Sequence, residues 1–182
     1  MKSKYEPLGA DFFQRDCLEL APDLVGKLIV RKIGDEELVL RITETEAYRG
    51  EEDTACHASK GRTPRTELLY REAGTIYVYL CYGMHWLFNI ISGEAEQPQG
   101  VLIRACEKYE GPARLTKYLK IDKALNGSTI IGNPEICIAD DGFRPDIELR
   151  RRVGIEYAEE KDRNALRRFA DKRTRDVYKT KK

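Results

Sequence analysis

Glu37-Leu38-Val39-Leu40-Arg41-Ile42-Thr43-Glu44-Thr45-Glu46-Ala47-Tyr48 reads as one long β-strand that begins as a core stripe and ends in acids. Successive side chains of a strand alternate faces. That rule puts Leu38, Leu40, Ile42, Glu44, Glu46 and Tyr48 together, with Glu37, Val39, Arg41, Thr43 and Thr45 opposite. Burying an ionised carboxylate without partners is expensive, so the strand either runs out of the core into a pocket or pairs its acids with specific donors. A pocket with a carboxylate and an aromatic wall is the sharper reading. Glu46 is then the candidate general base, because an apolar wall raises a carboxylate's proton affinity. The alternative is a salt bridge to an arginine such as Arg104, which an isolated glutamate prefers more often. Glu44, deeper along the row, is the more structural acid.

Outward from this strand, residues 28–32 form its hairpin partner across a turn at Gly34-Asp35. Residues 49–74 are polar and turn-rich, with Gly50, Gly61, Pro64 and Gly74, and long ordered loops in compact domains are usually functional. Residues 75–81 and 86–92 are two further strands, linked by Tyr82-Gly83-Met84-His85 as a hairpin with a bulky tip. A strand at 101–105, a helix over 113–120, a short strand at 136–139 and a helix over 162–172 complete the pattern. It predicts an α+β fold: a single domain over residues 1–182 with a curved, mostly antiparallel β-sheet flanked by a few helices.

Composition narrows the class. The chain has 182 residues, 41% hydrophobic and 35% charged, as an ordinary globular protein does. No apolar run reaches membrane-spanning length, and Met1-Lys2-Ser3-Lys4-Tyr5 opens no export signal. The expected location is the cytoplasm (a bacterial nucleoid), or the nucleus if the source is eukaryotic. Five widely spaced cysteines without a Cys-x-x-Cys pattern point to reduced thiols, and with only two histidines no zinc site is expected. The net charge of +1 conceals an asymmetry. Residues 144–182 hold 14 Lys and Arg against 8 Asp and Glu, and the rest of the chain 18 against 23. This basic segment either attracts a polyanion or is a solvated C-terminal helix with a frayed tail.

Polar-tipped rings are dense: Tyr48, His57, Tyr77, Tyr79 and Tyr82. Three flat rings from different segments can sandwich a nucleobase, each stack contributing roughly 1–3 kcal/mol. Tyr77 reads as core and His57, on the polar loop, as a surface histidine by default. Tyr82 is exposed by its place at a hairpin tip, where such side chains can wedge between base steps or pack on a neighbouring loop. Asn89 and Arg104 interrupt apolar strands, so each must find partners or line a cavity.

Taken in order, Thr45-Glu46-Ala47-Tyr48 with Gly50, Asp53 and His57, then Gly61-x-Thr63-x-Arg65, then Gly74-Thr75-x-Tyr77-Val78-Tyr79-x-x-Tyr82-Gly83-Met84, then Asn89, resembles the alkyladenine (3-methyladenine) DNA glycosylases. The resemblance runs over about positions 8 to 112, with remnants at 111–116 and at Arg152-Val153-Gly154-Ile155. It implies a monofunctional glycosylase of base-excision repair. Such an enzyme hydrolyses the N-glycosidic bond of alkylated or deaminated purines (3-methyladenine, 7-methylguanine, hypoxanthine, ethenoadenine) in double-stranded DNA, as a monomer and without a cofactor. By position it implies Glu46 as general base and Arg104 beside the attacking water. It likewise implies Tyr48, His57 and Tyr79 around the extruded purine, and Asn89 against the 2-amino group of guanine. Tyr82 falls on the minor-groove wedge, and Met84, Thr63 and Arg65 fall among DNA-facing positions. Two departures stand out. Only six residues separate Arg104 from Gly111, where relatives carry a longer helical insert, and Leu69-Tyr70-Arg71 replaces a Met-Phe pair. Two rival readings are a lesion-binding module without hydrolysis and a small-molecule hydrolase using Glu44 and Glu46 as an acid–base pair.

Overall fold

The computed structural model describes residues 5–176 and residue 178. Strand β1 (Glu6–Pro7) and the single-turn helix α1 (Ala10–Phe13) lead into helix α2 (Cys17–Leu24). The Asp16 side chain caps α2 by accepting from the Leu18 amide at 2.9 Å, satisfying one of the helix's orphan donors. Its buried face is Cys17, Leu20, Ala21 and Leu24. Strands β2 (Leu28–Ile33) and β3 (Glu36–Arg49) follow as the expected hairpin, turning where Gly34 takes φ 60°. The remaining elements are β4 (Ile76–Cys81), β5 (His85–Ile91), β6 (Gln99–Cys106), α3 (Pro112–Tyr118), β7 (Ile136–Asp140), β8 (Ile147–Arg150), α4 (Glu160–Asn164) and β9 (Arg168–Asp171).

The nine strands form one antiparallel, unclosed sheet in the order β1-β7-β2-β3-β6-β5-β4, with β9 joining β3 to β8. The fold is therefore α+β, as the sequence predicts. Its main core lies between the sheet and the helices, where Phe13, Leu20, Ile42, Phe88, Ile103 and Leu115 are fully enclosed. Alternate residues of β4 divide between two clusters. Ile76 and Val78 join the main core, while Tyr77 joins Cys56, Ala58, Leu69, Tyr70 and Ile91 in a smaller one under the long polar segment.

Two expectations are corrected. The first concerns the faces of β3. Its pairing with β6 slips at Ile42/Glu44 and again at Glu44/Thr45, a β-bulge on each side of the ladder. Beyond the slip the core side is carried by Thr45, whose hydroxyl donates to Ala21 O of α2 at 2.7 Å, and by Ala47. Glu44, Glu46 and Tyr48 thus no longer continue the row of Leu38, Leu40 and Ile42. Bulges re-aim side chains in this way. Losing a ladder bond costs about 0.5–1.5 kcal/mol, less than the several kcal/mol per ion needed to press two glutamates into an apolar core.

The second correction is the helix expected over 162–172. The chain gives five residues to α4 and then returns as β9, all four of whose residues are buried. β2 pairs β3 only as far as Arg41, so the acid half of β3 would otherwise present an open edge. β9 closes it at Glu44, Thr45 and Glu46, and tertiary pairing overrides the local preference.

Candidate active site

Behind the second half of β3 lies a cavity of about 900 Å³. Tyr48, His57, Tyr79, Asn89 and Arg104 all line it, and Tyr82 and Arg65 line it too. Glu46 sits directly behind that lining with no exposed surface. The Tyr48 hydroxyl donates to its Oε2 at 2.7 Å and the Val153 amide donates to its Oε1 at 2.9 Å. Arg104 Nε stands 3.4 Å from the same Oε1. Burial, with the charge of Glu46, pushes the Tyr48 phenol well above its ordinary pKa, so that hydroxyl stays a donor. Each carboxylate oxygen keeps a second lone pair, and the residues that hold it all border the cavity.

Glu44, two residues back, is treated differently. Arg168 lies 3.1 Å away, Arg150 3.4 Å and Arg104 3.6 Å. Burial pushes its carboxyl above the ordinary value and Arg168 and Arg104 pull it back. The expected bridge from Arg104 to either acid is thus made to both.

The ring wall is built from β3, β4 and the loop. Tyr79 meets His57 edge-on at 4.7 Å between centroids and lies tilted against Tyr77 at 5.4 Å. His57 is not the surface histidine of the default reading: it is half-buried, and its Nδ1 is 3.0 Å from the Tyr77 hydroxyl. Burial, then the nearby Arg65 and Lys60, lower its pKa from 6.5 to about 4, so the ring is neutral at physiological pH. Behind Tyr48, on the side away from the cavity, the Arg152 guanidinium stacks at 4.7 Å from the ring. Asp53 grips that guanidinium at 2.6 and 2.8 Å, and Ala47 O accepts from it at 3.0 Å. Asn89 spends its amide nitrogen on Tyr77 O at 3.1 Å, which turns its Oδ1 the other way.

At the rim the β4–β5 turn is strained. Both Tyr82 and Gly83 take positive φ (51° and 67°), as mirror-type hairpin turns require. A tyrosine there is uncommon and unfavourable, and the residue is 86% exposed. Met84, beside it, is also exposed. Thr63 and Arg65 lie on the polar segment: the Thr63 hydroxyl meets that of Thr66 at 3.1 Å, and the Arg65 guanidinium is 5.9 Å from the Tyr79 ring. Thr63 and Met84 stand outside the cavity lining.

Sequence reasoning did not single out the Val153 amide, Arg152 or Tyr157. Residues 152–155 belong to the matching pattern, but a backbone donor leaves no signature in residue type. Tyr157 lines the mouth, its hydroxyl donating to Ala55 O at 2.8 Å. Over its described length the basic segment is not one solvated helix, and its cations divide: Arg151, Lys161, Arg163, Lys172 and Arg175 are exposed. Arg150, Arg152 and Arg168 are buried in ion pairs with Glu148, Asp53, Glu44 and Asp176. The terminal lysines, 179 and 181–182, lie outside the described residues. Among the described residues no group of three or more His, Cys, Asp or Glu is arranged to hold a metal ion, and the five cysteines are free thiols.

A family model for methylpurine-DNA glycosylase matches residues 11–110 and 107–175. Curated relatives agree along the chain. A protein of Natranaerobius thermophilus is 41% identical over 88% of this chain and 90% of its own length. One of Borreliella burgdorferi is 42% identical over 87% and 92%, and one of Methanocella arvoryzae 39% identical over 94% and 96%. All three carry the name "Putative 3-methyladenine DNA glycosylase". With the match running through the strand of Glu46 and on through Arg152 and Val153, the chain belongs to the methylpurine-DNA glycosylase family.

Proposed function

We propose that the chain is a monofunctional DNA glycosylase. It takes an alkylated or deaminated purine out of duplex DNA and hydrolyses its N-glycosidic bond. The observation that carries this reading is Glu46, a carboxylate held by two hydrogen-bond donors and a neighbouring cation directly behind a ring-lined cavity. In the proposed step the C1′–N bond breaks with its electron pair leaving on the base. Water adds to the oxocarbenium-like C1′, and Glu46 takes the proton of that water. Arg104 offsets the charge of both acids and fixes the Glu46 side that meets the water.

Tyr48, Tyr79 and His57 would enclose the purine. Purines alkylated at N3 or N7 are cationic, stack well on electron-rich rings and leave as neutral bases without acid help. The neutral His57 supplies a hydrogen-bonding wall rather than a proton. Asn89, with its Oδ1 turned from Tyr77, would meet the purine edge. Extruding a base costs a few kcal/mol, least where damage already weakens pairing. Tyr82, held outward at a strained turn, would fill the gap.

The test is base release from a duplex carrying one ethenoadenine, hypoxanthine or 3-methyladenine-type lesion, with abasic sites revealed by alkali. Wild-type protein is expected to release at least one of them. Glu46→Gln should keep binding while release falls roughly 10²–10⁴-fold. Equal activity in both proteins removes Glu46 as the base; no release from any lesion favours a lesion-binding module on the same fold. In the same assay Tyr82→Ser should loosen capture of the lesion duplex without moving the melting temperature, and unchanged affinity would sink the wedge role.

A further inference from the structure

Arg104 has carboxylates on one side and an aromatic ring on the other. Its Nε lies 3.4 Å from Glu46 and 3.6 Å from Glu44, yet finds no hydrogen-bond partner among the described residues. At Nε, then, charge and not a hydrogen bond holds the guanidinium near the acids. The ring of Tyr178 faces the guanidinium, with its centroid 4.6 Å from Arg104 Cζ and 5.6 Å from Arg168 Cζ. A planar guanidinium stacks on such a face and is oriented by it.

Tyr178 is itself tied down. Its amide donates to Asp176 Oδ1 at 3.1 Å, and Asp176 receives Arg168 at 3.2–3.3 Å. Arg150 donates to Thr174 O at 2.9 Å. At the far end the Tyr178 hydroxyl closes on Gly111, where an added Cβ would stand 3.3 Å from it. Thr174, Asp176 and Tyr178 thus lie across the buried arginines, with Tyr178 reaching the residue before α3.

We propose that Tyr178 is a positioning residue for the hydrolytic step. Its ring sets the plane of Arg104 and so decides how that cation divides between Glu46 and Glu44. Among the described residues Arg104 is the one arginine that bridges both acids; Arg150 and Arg168 reach Glu44 alone of the two. Without the ring Arg104 can turn toward Glu44 or into the cavity, and Glu46 loses the cation that orients it. The proposal rests on the reading of Glu46 as the base.

The experiment compares wild type, Tyr178→Ala and Tyr178→Phe by single-turnover base release at saturating protein, alongside affinity for the same duplex. Tyr178→Ala is expected to slow release roughly three- to tenfold, with affinity changed by less than about twofold. Tyr178→Phe, which keeps the ring face, should match wild type. An unchanged rate in the alanine variant overturns the proposal. So does a parallel loss of rate and affinity, or a phenylalanine variant as slow as alanine. A second readout needs no activity: the Arg104 Nε–H proton, assigned by its disappearance in Arg104→Lys, should be shifted upfield by the ring and return downfield in Tyr178→Ala. No such shift overturns the stack itself. A shifted signal in a wild-type protein that releases no base overturns the glycosylase reading, and the rate role with it, while the stack stands.

Discussion

Glu44 and Glu46 are neighbours on one face of one strand, yet the regions around them are opposites. The Glu44 region is saturated with cations: three arginines lie within 3.6 Å, and Asp176 and Glu148 balance the surplus. The Glu46 region uses directed neutral donors, a phenol and a backbone amide, with a single arginine. Three cations around a buried acid offset part of the cost of its burial and tie strands together. Two neutral donors and one shared cation hold an acid just behind a cavity's lining while each of its oxygens keeps a second lone pair. Sequence spacing puts the two glutamates on one face and separates them only by depth along the row; what β8, β9 and residues 152–153 bring to each divides their work.

The sharpest way to break that contrast is Glu44→Gln. Removing one partner of a buried ionic cluster strands the others, which typically costs 3–5 kcal/mol. Urea or thermal unfolding should show a loss of about that size. Glu46→Gln, whose surroundings hold fewer charges, should unfold close to wild type while losing activity. Equal stability of the two variants would erase the structural role assigned to Glu44.

The same strand separates what the sequence shows from what only the folded chain shows. Alternation and glycine punctuation exposed β2 through β7, both hairpins and α3, because those signals are local. The match in order and spacing brought Tyr48, His57, Tyr79, Asn89 and Arg104 to one cavity. The β3 bulge was invisible, since it is set by a slip against β6 and no residue of Ile42-Thr43-Glu44 announces it. β8 and β9 were missed because an arginine-rich run such as Arg167-Arg168 reads as surface until Glu44 and Asp176 are beside it. The Glu46–Val153 bond spans 107 residues and ends on a backbone nitrogen, which only a folded chain reveals.

A gentler probe of the Glu46 side is Tyr48→Phe. It keeps the ring that walls the cavity and removes the hydroxyl bound to Oε2. Hydrogen bonds to charged groups contribute about 1.5–3 kcal/mol, so the chemical step should slow by roughly 10- to 100-fold. Lesion affinity should hold, because the stacking face remains. A phenylalanine variant with full rate would mean that the Val153 amide and Arg104 suffice to orient Glu46.

The last contrast is silent at neutral pH and shows only on acidification, where it too separates the two regions. His57 on the cavity side has its pKa lowered by burial to about 4, against 6.5 for the free side chain. As pH falls below about 6.5 the unfolded chain takes up a proton that the folded ring still refuses. Stability that is complete above 6.5 is therefore lost progressively as pH drops toward about 4, and the loss levels off below that. Asp53, behind Tyr48, acts in a different range. Burial alone would raise its carboxyl, but Arg152 reverses this and holds it below 3.8. Its contribution is thus present above 3.8 and disappears only as pH falls through that lower folded value. Urea midpoints measured from neutral pH down to about 4 should fall more steeply for wild type than for His57→Gln, the difference isolating His57 from the carboxylates common to both. Parallel curves would mean that the ring takes up its proton in the folded state as easily as in the unfolded one, and the neutral wall drawn for the cavity would have to be redrawn as a charged one.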